Sequence, residues 1–393
     1  MARVVGLTGD EVAAEAIRQI NPDVIAAYPI TPQTEIVQRL SQFVADGLIS
    51  AEMVRVESEH SAMSACVGAS ASGARAMTAT SANGLALMWE IVYIAASLRL
   101  PIVMPVVNRA LSGPINIHCD HSDSMGARDS GWIQLYSENC QEIYDNLIQA
   151  VVIAENKEVL LPVMVTLDGF VLSHAMERVE ILEDEEVKNF VGEYKNPHSL
   201  LDLNNPVTYG PLDLYDYYFE HKRQQVEAME KALRVIQGVG KQFAKISGRS
   251  YGLIEEYRLE DAELVVIALG STAGTIKEAV DELREEGVKA GLLKIRCFRP
   301  FPGREINEAL KKVEAVAILD RSASFGAEGG PVFLEVRSSL FEKTERIPII
   351  NYIYGLGGRD IKVEEIKGVY QTLQRIARTK RVEKRVDYLG VRE

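Results

Sequence analysis

Three polar residues, each just after an apolar run, are the first candidates for chemistry. Thr31 lies within Tyr-Pro-Ile-Thr-Pro, Glu59 within Val-Glu-Ser-Glu-His, and Arg109 within Asn-Arg-Ala. A hydroxyl at a helix start can help to hold an anion, and a guanidinium can pair with a carboxylate through two hydrogen bonds. Each residue alone is also compatible with a structural role, such as a helix cap or a surface carboxylate.

Glu59 has the most informative surroundings of the three. Residues 61–73, which follow it, are all small or apolar, and this predicts a helix that is packed closely on both sides. A carboxyl group at the head of a buried helix is partly desolvated, which favours its protonated form. The protonated carboxyl can donate a hydrogen bond to a ring nitrogen.

Arg109 opens a long stretch, residues 108–132, without a clear secondary-structure pattern. Loops of this length inside a compact domain are usually functional. This one contains His118, Cys119, Asp120, His121 and Asp123. Such residues could form a metal site, but neighbours in a loop rarely converge on one ion without ligands from elsewhere. We therefore expect local hydrogen bonds that fix the loop.

Alternating strands and helices must position these residues. The apolar runs predicted as strands are residues 24–27, 53–56, 76–80, 101–107 and 163–166. Strands that are apolar throughout are typical of a parallel sheet buried on both faces, and ligands bind beyond the carboxyl ends of such strands. Thr31 is predicted to cap a helix that begins at Pro32.

The second half of the chain begins with a break in this pattern at residues 183–261. One amphipathic helix lies there, and its apolar stripe consists of Val226, Met229, Leu233, Ile236, Val239 and Phe243. This spacing predicts a connecting helix packed on a domain face.

A second α/β unit follows, with predicted strands at residues 263–268, 290–295, 315–319 and 347–352. Residues 270–274 and 355–360 are rich in glycine but lack a phosphate-binding fingerprint, so they are predicted to be tight turns.

Composition excludes several functional classes. The net charge of -13 argues against non-specific nucleic-acid binding, which needs a basic face. The four cysteines are scattered without a CxxC pair, so neither a disulfide framework nor an iron–sulfur cluster within the chain is expected. The apolar stretches are too short to span a bilayer, and the N-terminus does not resemble a secretory signal. We expect a soluble, cytoplasmic protein that does not bind membranes.

Seven segments, taken together and in order, resemble the α subunit of the multi-subunit 2-oxoacid:ferredoxin oxidoreductases, most closely the pyruvate:ferredoxin type. They are residues 28–32, 56–62, 108–110, 120–125, 128–132, 298–302 and 355–360. The resemblance covers essentially the whole chain and implies an α/β fold with two domains. A pyrimidine-type thiamine-diphosphate-binding parallel-sheet domain, with its connecting helix, would occupy residues 1–240. A transketolase C-terminal-like α/β domain would follow at residues 258–380, with a tail at residues 381–393.

The resemblance also implies roles for individual residues. Glu59 would hydrogen-bond N1′ of the thiamine aminopyrimidine, and Tyr28, Pro29 and Arg109 would contribute to cofactor binding. Thr31 and Arg109 would bind the substrate, so that Glu59, Arg109 and Thr31 are the expected catalytic residues. The implied reaction is the reversible oxidative decarboxylation of pyruvate with coenzyme A to acetyl-CoA and CO2, with reduction of ferredoxin.

Two absences from the sequence imply partner subunits. The chain has no Gly-Asp-Gly motif for the diphosphate and Mg²⁺, and no cysteine set for a cluster. We expect a β subunit to hold the diphosphate half with Mg²⁺, γ- and δ-type subunits to join the complex, and [4Fe-4S] clusters to lie on partner subunits. The isolated chain should bind the cofactor negligibly.

Residues 113–118 resemble pyruvate-specific members, although Cys119 stands where glycine is more usual. The alternatives are the same chemistry on 2-oxoisovalerate or 2-oxoglutarate, a non-catalytic scaffold subunit, or a transketolase-like transfer of two-carbon units without ferredoxin.

Overall fold

The computed structural model describes residues 3–341 and 347–392. The strands are β1 (Arg3–Thr8), β2 (Val24–Ala27), β3 (Glu52–Arg55), β4 (Ala76–Met77), β5 (Val103–Asn108), β6 (Ile133–Tyr136), β7 (Val163–Asp168), β8 (Met176–Ile181), β9 (Ile254–Tyr257), β10 (Leu264–Ala268), β11 (Ala290–Ile295), β12 (Cys297–Arg299), β13 (Ala315–Asp320), β14 (Ile349–Tyr354) and β15 (Val386–Leu389). The α-helices are α1 (Gly9–Ile20), α2 (Thr34–Ala45), α3 (Glu59–Ala71), α4 (Ala82–Leu87), α5 (Trp89–Ser97), α6 (Ser122–Gly126), α7 (Cys140–Ala154), α8 (Asp184–Val191), α9 (Tyr218–Ser247), α10 (Thr272–Glu285), α11 (Gly303–Ala309), α12 (Pro331–Leu340) and α13 (Val363–Thr379).

The first half of the chain builds a parallel sheet with helices on both faces. Its strand order within the described residues is β12-β6-β7-β5-β4-β2-β3, and only β12 pairs antiparallel. Val103 and Val107 of β5 pack into a core with α1, α7 and α9. Met104 and Val106 face a second core that includes residues of α3 and α5. The predicted parallel sheet buried on both faces is confirmed.

Two details of the predicted strands were wrong. Residues 76–80 form only the short β4, because Thr80 makes an isolated bridge to Val106 instead of continuing the strand. Residues 133–136, which the sequence pattern had not identified, form β6 between β7 and β12. β12 comes from the second half of the chain, so the two halves share this sheet.

The second half builds a six-stranded sheet in the order β15-β14-β13-β10-β11-β9, as far as the described residues extend. Val266 of β10 packs in a core with α10 and α13, whereas Val265 faces α11 and α12. Residues 381–393, expected to be a tail, contain β15, which pairs with β14. The last strand therefore uses the backbone hydrogen-bonding groups that β14 would otherwise expose at the edge.

The connecting helix α9 packs on the first domain as predicted. Ile236, Val239 and Phe243 are buried, and Phe243 contacts Phe190 edge to face. Val226 was wrongly placed in the apolar stripe, since it is 51% exposed near the beginning of the helix. α9 continues through residue 240, the predicted end of the first domain, and ends at Ser247.

A helix that crosses a bilayer needs about 20 mostly apolar residues. Across residues 3–341 and 347–392, the helices are either too short or too polar to cross a bilayer.

Candidate active site

The three candidate residues follow neighbouring parallel strands. β5, β4, β2 and β3 are adjacent in the first sheet, so their carboxyl ends lie along one edge. Arg109 follows β5, Thr31 lies beyond the end of β2, and Glu59 begins the helix after β3. This is the edge where ligands bind in parallel α/β sheets.

Two backbone carbonyl groups hold the guanidinium of Arg109. Its Nη1 donates to the Thr31 carbonyl oxygen at 2.9 Å, and its Nε donates to the Asn116 carbonyl oxygen at 3.1 Å. The residue is only 7% exposed. Nη2 makes no hydrogen bond within the described part of the chain, which leaves one edge of the guanidinium able to bind an anion.

Thr31 is exposed at the first position of a turn, and Tyr28 and Pro29 are exposed in the segment just before it. The prediction that Thr31 caps a helix beginning at Pro32 was wrong, because α2 begins at Thr34. Residues 31–33 form a turn instead.

The buried side chain of Gln33 fixes this turn. Its Oε1 accepts from the Ile30 N–H at 3.2 Å, and its Nε2 donates to the Ala79 carbonyl oxygen at 2.9 Å. Gln33 thereby ties the turn after β2 to the segment after β4.

Glu59 is the first residue of α3 and is 6% exposed. Ser58 caps the helix by accepting from the Ser61 N–H at 3.2 Å. The side chain of Glu59 makes neither a hydrogen bond nor an ion pair with any residue in the ranges 3–341 and 347–392. A nearly buried carboxyl group without a partner is costly, so this position suits a group that bonds to a ligand. The residues present therefore fit the aminopyrimidine of thiamine diphosphate.

Gly84 gives the Glu59 carboxyl group its space. A Cβ atom on Gly84 would lie 2.8 Å from Glu59 Oε1 and 2.5 Å from Thr80 Oγ1. Any larger residue at position 84 would displace one of these polar groups.

The helix after Glu59 is buried on one side, not on both as predicted. Met63 and Cys66 are fully buried, whereas Gly68 is exposed and Val67 is half-buried. Among the described residues, the partly buried Val67 packs against the same core as Met63 and Cys66.

Asp123 joins the ends of three elements around the site. Its Oδ2 accepts from the backbone N–H groups of Ala82 and Arg109, each at 3.0 Å, and its Oδ1 accepts from Asn108 Nδ2 at 2.8 Å and the Ser124 N–H at 2.7 Å. Burial raises the pKa of Asp123 to about 6, although these four hydrogen bonds oppose the shift.

The hydrogen-bonded loop predicted around Asp123 is confirmed. Its bonds also reach α4, which the sequence had not indicated.

A second buried cluster joins the two domains. Asp168 accepts from Arg321 Nη1 at 2.9 Å and from Ser271 Oγ at 2.5 Å, and it lies 2.7 Å from His121 Nε2. Burial opposes ionisation, but His121 and Arg321 outweigh it and hold the pKa of Asp168 below its usual range.

Cys119, His121 and Asp168 lie close enough to share an ion. However, the Arg321 guanidinium already neutralises Asp168, and burial raises the pKa of the Cys119 thiol well above its usual value. A cation would therefore meet a positive charge and a protonated thiol, so the contacts favour an interdomain hydrogen-bonded cluster over a metal site.

Sequence comparison identifies the family. The model described as "Pyruvate flavodoxin/ferredoxin oxidoreductase, thiamine diP-bdg" matches residues 15–241, and that described as "Pyruvate:ferredoxin oxidoreductase core domain II" matches residues 262–366. The chain belongs to the pyruvate flavodoxin/ferredoxin oxidoreductase family. The expected α/β fold, with a thiamine-diphosphate-binding domain first, is thereby confirmed.

Known members of the family cover almost the whole chain. Pyruvate synthase subunit PorA of Thermotoga maritima is 63% identical over 93% of this chain and 93% of its own length. Ketoisovalerate oxidoreductase subunit VorA of Pyrococcus abyssi is 43% identical over 97% of this chain and 96% of its own.

A solved structure shares the fold. It is the 2-oxoglutarate:ferredoxin oxidoreductase from Magnetococcus marinus with 2-oxoglutarate, coenzyme A and succinyl-CoA bound, which is 20% identical with a TM-score of 0.74. The similarity covers 94% of this chain and 65% of that longer chain.

Sequence reasoning missed three residues that shape this edge: Gln33, Gly84 and Asp168. Asp168 could have been identified from the sequence, because this carboxylate directly follows the predicted strand at residues 163–166 and Leu167. Gln33 and Gly84 act through contacts with segments distant in sequence, which periodicity does not reveal.

Proposed function

We propose that this chain is the subunit of a pyruvate synthase complex that activates thiamine diphosphate and binds the 2-oxoacid. The observation that carries the proposal is the Glu59 carboxyl group, nearly buried and without a partner among the described residues, on the same sheet edge as Arg109 and Thr31. Family membership and the 63% identity to a pyruvate synthase subunit support it.

Glu59 has the central role in this proposal. When bound, thiamine diphosphate would supply the electron sink that decarboxylation of a 2-oxoacid requires. The Glu59 carboxyl group would hold the aminopyrimidine by sharing a proton with its N1′. Its low exposure limits competition from water for this hydrogen bond.

Arg109 and Thr31 hold the substrate. The Nη2 of Arg109 donates to the 2-oxoacid carboxylate, while Nη1 and Nε stay on backbone carbonyl groups. The Thr31 hydroxyl, in its exposed turn, donates to the carboxylate or the keto oxygen. Tyr28 and Pro29, exposed just before this turn, line the cofactor.

The rest of the reaction depends on partner subunits. Since the sequence lacks a Gly-Asp-Gly motif and a cysteine set, a β subunit would hold the diphosphate and Mg²⁺, and partner subunits would carry the [4Fe-4S] clusters. γ- and δ-type subunits would complete a cytoplasmic complex, coenzyme A would accept the acyl group, and ferredoxin would accept the electrons.

Replacement of Glu59 by alanine in the assembled complex tests the proposal. We expect the reduction of a low-potential dye, dependent on pyruvate and coenzyme A, to fall at least about 100-fold. Glu57→Ala is the matched control, because Glu57 is an exposed carboxylate two residues earlier, and its rate should stay within about twofold. Unaltered activity of Glu59→Ala would favour a scaffold subunit instead.

A branched-chain substrate is the second candidate, because a ketoisovalerate oxidoreductase subunit is 43% identical to this chain. The higher identity to a pyruvate synthase subunit favours pyruvate. Comparison of kcat/KM for pyruvate, 2-oxoisovalerate and 2-oxoglutarate separates these substrates. Absence of any dye reduction would point to a transketolase-like transfer.

A further inference from the structure

A glycine-rich turn of the second domain lies against the loop that follows Arg109. This turn, residues 355–359, follows β14 and is called the glycine turn here. The loop that it contacts, residues 110–121, is called the substrate loop. The sequence identified both segments, and the proposed function assigns a role only to Arg109, just before the loop.

Two hydrogen bonds connect the glycine turn to the substrate loop. Asn116 Nδ2 donates to the Gly357 carbonyl oxygen at 2.9 Å, and the Gly357 N–H donates to Asp120 Oδ2 at 3.2 Å. Asn116 and Asp120 thus bind the carbonyl and amide groups of a single residue in the other domain.

The glycines of this turn are required for contact as well as for backbone conformation. Gly357 and Gly358 have φ values of 62° and 80°, which L-residues rarely adopt. A Cβ atom on Gly357 would lie 2.4 Å from Asn116 Nδ2, and one on Gly358 would lie 2.3 Å from the His118 Cβ. The substrate loop therefore packs directly onto the backbone of the glycine turn.

These contacts continue to the Arg109 guanidinium. The carbonyl oxygen of Asn116, whose side chain is bound to Gly357, accepts from Arg109 Nε at 3.1 Å. The loop closes on itself next to Arg109, because the Ala110 N–H donates to the His118 carbonyl oxygen at 3.0 Å. A displacement of Asn116 would therefore move one of the two backbone acceptors that orient the guanidinium.

We propose that the glycine turn of the second domain positions Arg109 for the substrate carboxylate, acting through Asn116. This inference rests on the proposed substrate role of Arg109. It makes Gly357 and Asn116 positioning residues and gives the second domain a part in 2-oxoacid recognition.

Gly357→Ala tests the inference, and Gly287→Ala is its matched control. Gly287 also lies in the second domain and has a φ of 82°, but a Cβ atom there would meet nothing within 4 Å. Both variants introduce similar backbone strain, and only the new Cβ atom of Gly357→Ala would collide with the Asn116 side chain. In the assembled complex we expect Gly357→Ala to raise the KM for pyruvate about tenfold, with kcat changed less than about threefold. The KM for coenzyme A should be unchanged.

Asn116→Ala gives a second measurement that does not introduce strain at a positive φ. It removes the hydrogen bond to Gly357, and we expect a similar rise in the KM for pyruvate. Suppose that Gly357→Ala and Asn116→Ala have the same KM for pyruvate as Gly287→Ala, while Arg109→Lys raises this KM. The inference is then wrong, and the proposed function stands. If Arg109→Lys leaves the KM unchanged, the substrate role of Arg109 fails, and the inference fails with it.

Discussion

The Nη1 of Arg109 donates a hydrogen bond to the carbonyl oxygen of Thr31 at 2.9 Å. β4 lies between β5 and β2 in the sheet, so this bond spans the end of β4 and joins the two segments expected to bind substrate. The guanidinium is oriented by backbone acceptors, whose positions follow from the fold. A second acceptor, the Asn116 carbonyl group, leaves Nη2 as the part of the side chain that can turn to a ligand.

Arg109→Lys should raise the KM for pyruvate at least about tenfold in the assembled complex. A lysine ammonium is a compact charge without the planar fork, so it cannot hold two backbone carbonyl groups and a carboxylate in one fixed geometry. Steady-state kinetics of dye reduction measure the effect. Arg99→Lys is the control, because Arg99 also donates to a backbone carbonyl group, that of Leu160, and its KM should not change. Equal KM values for both variants would contradict the role of Arg109.

Asp123→Asn should lower both activity and stability. All four partners of Asp123 are donors, so the new amide must place its NH2 group against two N–H groups. The unmade bonds should cost about 1–3 kcal/mol and loosen the backbone at Ala82 and Arg109. We expect kcat/KM for pyruvate to fall about tenfold or more, and the melting temperature of the complex to fall as well.

Asp320→Asn separates the two effects of the Asp123 substitution. Asp320 is also buried, and like Asp123 it has only hydrogen-bond donors as partners. They are the N–H groups of Val332 and Phe333 and the Nδ2 of Asn351. It should lower the melting temperature with little change in kcat/KM. Kinetic losses of the same size in both variants would mean that Asp123 acts on stability alone.

The sequence predicted the position of the candidate residues better than the contacts that orient them. Glu59, Thr31 and Arg109 each follow an apolar strand, and adjacency of parallel strands brings them to one edge. The link between Asn116 and Gly357 joins residues 241 positions apart, and no local pattern contains it. The turn around Thr31 was mistaken for a helix start because a threonine followed by proline has that signature. The hydrogen bonds of Gln33 to Ile30 and Ala79 hold this segment as a turn instead.

Boundaries were the less predictable part of the fold. The apolar stripe of α9 ended correctly at Phe243, but its first member, Val226, is exposed. β15 was missed because its four residues, Val-Asp-Tyr-Leu, lie in a charged segment, and pairing with β14 decides their conformation. Tertiary pairing overrides weak local preference in such edge strands.

Asp10 gives a prediction about pH and stability. It is fully buried, and neither carboxylate oxygen has a hydrogen-bond partner in the part of the chain that the structure describes. Burial, followed by repulsion from Glu35 and Glu11, raises the pKa of Asp10 to about 9. The His174 side chain lies nearby, with its Nδ1 4.0 Å from Asp10 Oδ2.

The sign of the pH effect follows from the raised pKa. The unfolded chain loses the Asp10 proton near pH 4, whereas the folded chain keeps it until about pH 9. The stabilising contribution of the protonated group is complete below pH 4 and declines as pH rises towards 9. Asp10→Asn replaces the group with a neutral side chain of similar shape, so the variant should become progressively more stable than the wild type over this interval.

Melting temperatures of the wild-type and Asp10→Asn complexes between pH 5 and pH 9 test this expectation. The difference between the two should shift in favour of the variant as pH rises, because only the wild type must lose the Asp10 proton on unfolding at these pH values. Asp46→Asn, a change at an exposed aspartate, should give a curve parallel to the wild type. A parallel curve for Asp10→Asn would mean that Asp10 titrates at the same pH in the folded and unfolded chains. In that case the carboxyl group must find a partner in the assembled complex.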